Sequence, residues 1–502
     1  MTDHKEPMIS MRIEQDSLGE FEVPSDAYWG VHTARAVKNF PISNRIIGFY
    51  PDLVIALAQV KQAAARANRD LGDLEPDIAD HIDAAAQEII DGELHDQFVV
   101  GIIQGGAGTS TNMNANEVIA NRALELAGHK KGEYQYIHPI DHVNRAQSTN
   151  DAYPTAVKLA VASGMHKLIR ELELLRSSFS DKSREFRSVL KVGRTQLQDA
   201  VPMTLGQEFH GFATMLREDI QNIQTVLPPL QELNMGATAI GTGINAHPEY
   251  ASAVIRNLRE ITGEQGLHTA PDLIEATSDT GVFMSVSGSL KRNAMKVSKI
   301  CNDLRLLSSG PQAGLGEITL PPVQAGSSIM PGKVNPVIPE AVTQVAYVIA
   351  GCDVTVSMAS EGGQLQLNAF EPVMAHVLLQ NSAWLRRALR TLRINCVDGI
   401  VANEHRLKEM VDSSVGVVTA LSPYIGYQTA SELAKVALRG EGSIRQLTLQ
   451  RELLDEQQLD SLLDPMYLSN QSPETHSMPV LTDDLIEQIE SELDKKDEDH
   501  FA

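Results

Sequence analysis

The stretch GSSIMPGKVNP, residues 326–336, combines breaks in regular backbone with several reactive groups. Two glycines and two prolines within eleven residues exclude a regular helix or strand. The stretch also carries two serine hydroxyls, the ammonium of Lys333 and the carboxamide of Asn335. Ile329 and Met330 are apolar, and we expect them to anchor the loop to a core. Glycine hinges, an apolar anchor and a lysine suit a mobile lid over an anionic substrate, although most loop lysines and hydroxyls are merely solvated.

The composition is that of a helical globular protein without a disulfide framework. The chain has 502 residues, of which 42% are hydrophobic and 21% charged, which allows several domains with a large core. Its 3 cysteines are far apart and form no CxxC pair, so neither a disulfide scaffold nor a zinc site is indicated. No apolar signal segment opens the chain, and the most apolar segment, residues 345–359, is too short to span a bilayer. We predict a cytoplasmic protein.

The formal charge of −23 restricts the classes of ligand. Nucleic acid requires basic patches, so it is not a predicted partner. The global field would also repel a small anion, and a site for one must supply local positive charge and backbone donors. Acidic residues are concentrated in the tail, residues 483–499, which we predict to be a solvated helix.

Long segments without helix breakers dominate the middle of the chain. Apolar residues recur there at three- and four-residue spacing, as at Val297, Ile300, Leu304 and Leu307. Helices of about 20–30 residues would be about 30–45 Å long. Because such rods cannot bury their apolar stripes alone, they indicate a bundle and oligomerisation through it. Helices are predicted at residues 52–69, 76–91, 155–190, 208–227, 282–307, 339–360, 373–400 and 453–463.

These patterns predict a mainly α fold with three domains. Residues 1–149 form a mixed, mostly helical N-terminal domain, with a short hairpin near residues 12–23. Residues 150–403 form a central helix-bundle domain, in which the polar segments 193–199 and 236–245 are predicted to be loops. Residues 404–502 form a small C-terminal helical domain with the acidic tail.

Two polar clusters stand at predicted helix starts. Glycines at residues 105–108 lead into a hydroxyl-rich and asparagine-rich segment, and free N–H groups at such a helix start favour an anion. Residues 148–151, Ser-Thr-Asn-Asp, form the second cluster. Both clusters also fit ordinary helix caps. His138 and His142 have the spacing of a metal pair, but Pro139 interrupts a common helical face and no third ligand is evident, so no metal site is predicted.

Several common catalytic motifs are absent from the sequence, including GxSxG, HExxH, the EF-hand loop, the Walker P-loop and GxGxxG. Separate loops rich in Thr, Ser, Asn and Gln recur instead, together with one lysine. Such groups can hold carboxylates and an amine without a metal or cofactor. A reaction through a doubly charged carboxylate intermediate would need such an array of donors. The residue inventory alone leaves open a helical enzyme or a binding protein for a small anion.

The loop at residues 326–336 matches the GSSxMPxKxNP pattern of the fumarase/aspartase superfamily, which the chain resembles over nearly its whole length. The first ten residues and the tail from residue 483 lie outside the resemblance. This resemblance implies a mainly α fold with a central five-helix bundle. It also implies a homotetramer with a twenty-helix core, whose active sites each take loops from three subunits.

At several shorter segments the chain resembles the ammonia-lyase branch of the superfamily more than the fumarases. The chain has Ser148-Thr149-Asn150 where fumarases usually have Ser-Ser-Asn, and Gln196 ends a Gly-Arg-Thr-Gln segment where they usually have Gly-Arg-Thr-His. Segments 131–136, 272–279 and 363–372 also resemble that branch. The implied activity is reversible deamination of L-aspartate to fumarate and ammonia. A fumarate hydratase and a catalytically silent structural homologue remain the alternatives.

The resemblance also implies roles for individual residues. A serine on the loop, Ser327, would remove the C3 proton of L-aspartate, and the carbanion would be held as an aci-carboxylate. Lys333 and backbone N–H groups would lower the pKa of that serine. No cofactor is implied as required, and Mg²⁺ is left open as an activator. The β-carboxylate would contact Thr109, Ser148, Thr149 and Ser328, the α-carboxylate Lys333 and Asn335, and the amino group Asn150, Thr195 and Gln196.

Overall fold

A computed structural model describes residues 10–326, 329–468 and 482–494 of the chain. The helices that it describes are α1 (Val31–Asn39), α2 (Pro51–Asp70), α3 (Pro76–Ile90), α4 (Thr109–Leu126), α5 (Thr149–Glu185), α6 (Leu205–Val226), α7 (Tyr250–Thr262), α8 (Glu275–Ser278), α9 (Gly281–Leu307), α10 (Val337–Glu361), α11 (Glu371–Asn395), α12 (Glu404–Ser413), α13 (Val418–Ile425), α14 (Tyr427–Leu438), α15 (Ile444–Gln450), α16 (Glu456–Leu462), α17 (Pro465–Leu468) and α18 (Asp483–Asp494).

The strands of this part of the chain are short and form separate two-stranded ribbons. The first pair is the predicted N-terminal hairpin, and the parallel pair is β5 with β6, whereas the others are antiparallel. The strands are β1 (Met11–Asp16), β2 (Gly19–Pro24), β3 (Leu190–Thr195), β4 (Gln198–Thr204), β5 (Glu232–Leu233), β6 (His268–Thr269), β7 (Ile318–Thr319) and β8 (Val401–Ala402).

Five long helices close into a bundle. Helix α5 packs along α6 and α11, α6 packs along α9, and α10 packs along both α9 and α11. Each helix presents an apolar stripe to the others, and α5, the longest, has 37 residues. Helix α2 packs on the outside of α5 and is itself covered by α3 and α7. The predicted mainly α fold is confirmed, and the five-helix bundle agrees with the resemblance.

Most buried apolar side chains belong to one continuous core that extends from the N-terminal helices through the bundle. A separate cluster in the C-terminal part contains Leu421, Leu433 and Leu459 and joins α13, α14, α15 and α16. The division of the chain at residues 149 and 403 stays a prediction.

The central bundle helix α10 is unusually open to solvent for its apolar composition. An 18-residue window within it has a mean hydropathy of 1.4, yet only 28% of that window is buried. By length and composition α10 could cross a membrane, but core helices of soluble bundles meet the same criterion. Tyr347, Val354 and Met358 on α10 are 59%, 58% and 70% exposed, so its outer face is apolar and uncovered in one chain.

The predicted helices are present, with differences at their ends and in one connection. The predicted helix 373–400 ends at Asn395, and the predicted helix 453–463 is reduced to α16. Of the predicted tail helix, residues 483–494 are described, and residues 495–499 lie outside the described residues. The segment 193–199, predicted as a plain loop, is the end of the β3–β4 hairpin. Gln196 and Leu197 turn the chain with positive φ angles of 53° and 65°.

The loop at residues 326–336 does not pack as predicted. Ile329 and Met330 are 82% and 45% exposed, so the expected apolar anchor to the core is wrong for the single chain. The loop folds back on itself and brings Gly326 close to the main-chain carbonyl of Lys333. Any side chain at residue 326 would overlap that carbonyl. Ser327 and Ser328 lie outside the described residues.

Candidate active site

The N-terminus of α4 is shaped by glycines. Residues Gly106 and Gly108 have positive φ angles of 86° and 90°, and a Cβ at Gly108 would lie 2.5 Å from the ring of Tyr153 on α5. The start of α4 therefore contacts the second turn of α5. Thr109 opens α4, is exposed, and donates its hydroxyl to Gly106 O at 2.6 Å. The N–H of Thr109 donates to Gly106 O at 2.9 Å and that of Thr111 donates to Gln104 Oε1 at 3.0 Å, so the first turn of α4 is capped by the preceding loop.

The N-terminus of α5 is fixed by a reciprocal cap. Ser148 Oγ accepts from the backbone N–H of Asn150 at 3.2 Å, and Asp151 Oδ1 accepts from Ser148 N at 2.9 Å. The other oxygen of Asp151 accepts from Gly236 N at 3.2 Å and Thr238 N at 2.9 Å. The wholly buried Asp151 thus joins the α5 cap to the loop at residues 236–245.

The two helix starts share hydrogen bonds. Asn112 Nδ2, one turn into α4, donates to Thr149 Oγ1 at 3.2 Å. Asn150 Nδ2 donates to Ala239 O at 2.7 Å, and Asn234 Nδ2 donates to Asn150 O at 3.0 Å. The structure therefore brings Thr109, Ser148, Thr149 and Asn150 together on one face.

A buried lysine lies beneath this face. Lys61 of α2 has no solvent exposure, and its Nζ donates to Asn112 Oδ1 at 2.6 Å and to Asn144 Oδ1 and Gln147 Oε1 at 2.9 Å each. Burial lowers the pKa of Lys61 to about 7, while the Asp151 carboxylate raises it. Burial also raises the pKa of Asp151 to about 6, outweighing its backbone donors. The charges of these two groups therefore interact behind the helix starts.

The predicted residues Thr195 and Gln196 lie elsewhere in the chain. Both are exposed at the tip of the β3–β4 hairpin, which follows the C-terminal end of α5. With 37 residues, α5 is about 54 Å long. A fully extended chain from Glu185 to Thr195 covers about 35 Å. Within one chain, Thr195 therefore lies at least about 20 Å from Thr149.

A buried ion cluster holds this hairpin in place. Glu317 has no exposed side chain and pairs with Lys191 at 2.8 Å and with Arg194, the residue before Thr195. Its backbone N–H donates to Leu307 O at 2.8 Å, at the end of α9. Glu317 therefore connects the hairpin to the segment that leads into the loop at residues 326–336.

The predicted residues Lys333 and Asn335 also lie away from the α4–α5 face. Lys333 is exposed and Asn335 half-buried, just before α10 begins. The first turn of α10 lies beside the end of α9, where Arg305 and Glu340 approach to 4.0 Å. The start of α9, by contrast, follows Thr277, which hydrogen-bonds Asn234 at 3.1 Å next to the α5 start. The 27-residue α9 separates the two ends by about 39 Å.

Within one chain, the predicted site residues are therefore not brought together in one place. A cleft of about 770 Å³ lies between α2, α5 and α7, but none of the predicted site residues lines it. Inside that cleft, Ser163 and Lys167 both donate to Asp52 at 2.9 Å, so these polar groups satisfy one another. The α4–α5 face itself is an open surface.

Reasoning from the sequence missed the buried support of this face. Asn112, Asn144, Gln147 and Asn234 are amides within hydrogen-bonding chains, and Lys61 interrupts an apolar face of α2. The sequence did contain one indication of this support, since residues 112–121 include four asparagines, and all four are buried. An amide on a buried helix face needs a partner, so such a row predicts a polar network.

The histidine pair is occupied by backbone contacts. His138 precedes a π-helical turn, Pro139–Val143, and its Nδ1 accepts from Ile140 N and Asp141 N at 3.2 and 3.1 Å. His142 Nδ1 accepts from His138 N at 2.9 Å. Across the described part of the chain, no group of at least three His, Cys, Asp or Glu side chains could hold a metal ion.

Comparison with known proteins defines the class. The Lyase family matches residues 19–351, and the fumarase C C-terminus family matches residues 417–470. The chain therefore belongs to the Lyase family, and the superfamily resemblance read from residues 326–336 is confirmed.

Individual relatives are more specific. The chain is 57% identical over 460 residues to the aspartate ammonia-lyase of Pseudomonas aeruginosa, an alignment that covers 91% of this chain and 97% of that protein. A fumarate lyase/delta crystallin of Brucella melitensis, solved with bound cobalt, has a TM-score of 0.89 at 53% identity, covering 92% and 100% of the two chains. A class II fumarase of Schistosoma mansoni has a TM-score of 0.85 at 35% identity, covering 92% and 99%.

Proposed function

We propose that this chain is an aspartate ammonia-lyase, which converts L-aspartate reversibly to fumarate and ammonia. The observation that carries the proposal is the 57% identity to an aspartate ammonia-lyase across 91% of the chain. The α4–α5 face supports it, because its hydroxyls and amides suit a carboxylate. The class II fumarase is the more distant relative, at 35% identity.

The proposed chemistry begins with proton removal from C3 by Ser327. The electrons of the C–H bond move into the β-carboxylate, giving an aci-carboxylate dianion. In this mechanism the hydroxyls of Thr109, Ser148, Thr149 and Ser328 donate to the aci-carboxylate and stabilise the added charge. Collapse of the dianion forms the C2–C3 double bond and expels ammonia. No cofactor takes part, and Mg²⁺ enters only as a candidate activator.

The remaining residues hold the other end of the substrate. Lys333 and Asn335 bind the α-carboxylate, and Thr195 and Gln196 contact the amino group. Asn150 is suited to the same amino group, since its Nδ2 already donates to Ala239 O. Its amide oxygen is then the acceptor for a substrate ammonium.

The proposed enzyme is a cytoplasmic homotetramer with shared active sites. Two features support shared sites: the predicted residues are divided between opposite ends of the bundle, and the outer face of α10 is apolar and exposed. Packing of that face against other copies would bury apolar surface. It would also bring the loop and the hairpin of other subunits to the α4–α5 face.

The experiment is to follow fumarate by its ultraviolet absorbance with L-aspartate and, separately, with L-malate. We expect turnover of L-aspartate and none of L-malate. Turnover of L-malate alone would contradict the proposal in favour of a fumarate hydratase. Turnover of neither would favour a silent homologue.

A further inference from the structure

We propose that Lys61 is a positioning residue of the candidate active site, which acts through Asn112 to fix the Thr149 hydroxyl as a donor toward the substrate. This inference rests on the proposed function, because the acceptor is the β-carboxylate of L-aspartate. Lys61 lies on α2 and makes no direct approach to the open face, since its side chain is wholly buried.

Three acceptors surround the Lys61 ammonium. Asn112 Oδ1, Asn144 Oδ1 and Gln147 Oε1 lie 2.6, 2.9 and 2.9 Å from Nζ. An ammonium has three N–H donors, so each has one acceptor. A neutral amine would leave its lone pair facing an oxygen. The geometry therefore matches the charged form of Lys61.

The opposite ends of the same amides fix their orientation. Asn112 Nδ2 donates to Asn144 Oδ1 at 3.1 Å and to Thr149 Oγ1 at 3.2 Å. Asn144 Nδ2 donates to Gln147 O at 3.1 Å, and Gln147 Nε2 donates to Val143 O at 2.9 Å. Reversing any of these amides would place an oxygen against an oxygen. The cation and the amides therefore determine one another's arrangement.

The consequence for Thr149 follows from its single hydroxyl proton. Because Oγ1 accepts from Asn112, the proton of Thr149 points elsewhere and is available to the half-buried face. Without the Lys61 cation, Asn112 Oδ1 loses its donor, and only the contact with Asn144 Oδ1 still opposes a rotation that presents the amide oxygen to Thr149. The hydroxyl would then donate to Asn112, and the substrate carboxylate would lose a donor.

A purely structural role for Lys61 makes a different prediction. If Lys61 only joined α2 to α4, its loss would reduce stability and leave the chemistry of the folded enzyme unchanged. The two roles are separated by a double-mutant cycle with Thr149, because a residue that acts through the hydroxyl has no further effect once the hydroxyl is gone.

The experiment measures kcat and KM for L-aspartate in Lys61→Met, Thr149→Val and the double variant. Loss of one preorganised donor typically costs about 100-fold in kcat, so we expect each single variant to lose about 10- to 100-fold with a change in KM below about threefold. The double variant should be no slower than the slower single variant. Multiplying losses, or wild-type kcat in Lys61→Met, would overturn the inference.

Matched variants keep the test decisive. Lys158→Met removes another buried lysine, one that donates to Glu232 O at 2.7 Å, and should retain wild-type kcat within about threefold if the loss in Lys61→Met is specific to the Thr149 connection. A loss in Lys158→Met equal to that in Lys61→Met would overturn the inference.

If Lys61→Met does not fold, Asn112→Asp serves in its place. This variant keeps an acceptor for Lys61 but presents an oxygen to Thr149, and should lose kcat to the same extent. Its control is Asn114→Asp, at a buried α4 position that donates to Gln97 O at 3.0 Å. Wild-type kcat in Asn112→Asp would overturn the inference. A wild-type protein that does not turn over L-aspartate would overturn the proposed function and this role together, whereas the variant results overturn the role alone.

Discussion

At the scale of single residues, Gly108 allows the start of α4 to approach α5 closely. Its φ of +90° favours glycine, and the ring of Tyr153 fills the space that a side chain at this position would need. Tyr153 is wholly buried and comes from the second turn of α5. Because Gly108 has both a positive φ and no side chain, it determines the distance between Thr109 and the Ser148–Asn150 segment.

We predict that Gly108→Ala lowers stability and activity together. The backbone angle costs about 1–2 kcal/mol, and the overlap with Tyr153 adds about 1–3 kcal/mol. Displacing Thr109 by about 1 Å should reduce kcat by about 100-fold. Thermal unfolding and the fumarate assay measure the two effects. The control is Gly128→Ala at the other end of α4, where φ is +81° but nothing lies within 4 Å of an added Cβ. It should lose stability without loss of kcat.

At the scale of elements, α11 begins with a buried acid. Glu371 is 3% exposed in the first turn of α11. The positive charge of Lys158 on α5 lowers the pKa of Glu371 and so opposes the larger effect of burial. Burial raises the pKa of Glu371 to about 8 from 4.5. Because its folded pKa is raised, its contribution to stability is complete below pH 4.5 and is lost as the pH rises through about 8.

We predict that Glu371→Gln removes part of this pH dependence. Relative to the variant, the wild-type free energy of unfolding should fall by about 1.4 kcal/mol per pH unit between the two pKa values. The melting temperature of the wild type should therefore fall relative to that of the variant as the pH rises from 5 to 8. Glu340→Gln, which removes a half-buried carboxylate from the first turn of α10, should show no such trend. A constant offset for Glu371→Gln would contradict the assignment.

The elements also show what the sequence could predict. Long segments with apolar spacing and few breakers predicted α5, α9 and α10, because a 3.6-residue period is a local property. The β3–β4 hairpin was missed, since its turn at Gln196 and Leu197 lacks the Asn-Gly signature that the positive φ angles usually require. The anchoring of Ile329 was predicted wrongly because apolar character does not identify the surface that covers a residue.

The candidate site divides in the same way. Motif resemblance gave Thr109 and Ser148 to Asn150, and the structure places these residues side by side. Lys61 and Asn112 carry no motif, since their role depends on distances between α2, α4 and the turn before α5. Residues at hairpin and loop tips cannot be placed relative to this face from one chain, because other copies would determine that geometry.

At the scale of the whole molecule, the bundle separates the groups that the proposed reaction must combine. The α4–α5 face and the hairpin tip are at least about 20 Å apart within a chain of this length. The apolar outer face of α10 is available for packing against further copies. A closed, symmetric oligomer would solve both problems at once.

A site shared between subunits is tested most directly by complementation between Thr149→Val and Lys333→Ala, measured as fumarate formation from L-aspartate. Each variant alone should be nearly inactive, because every site lacks one group. In co-expressed mixed oligomers, random assembly gives about a quarter of the sites an intact Thr149 and an intact Lys333 from different subunits. We therefore expect recovery to about a quarter of wild-type activity, by the same random mixing. Activity no higher than that of the separate variants would contradict a site shared between subunits.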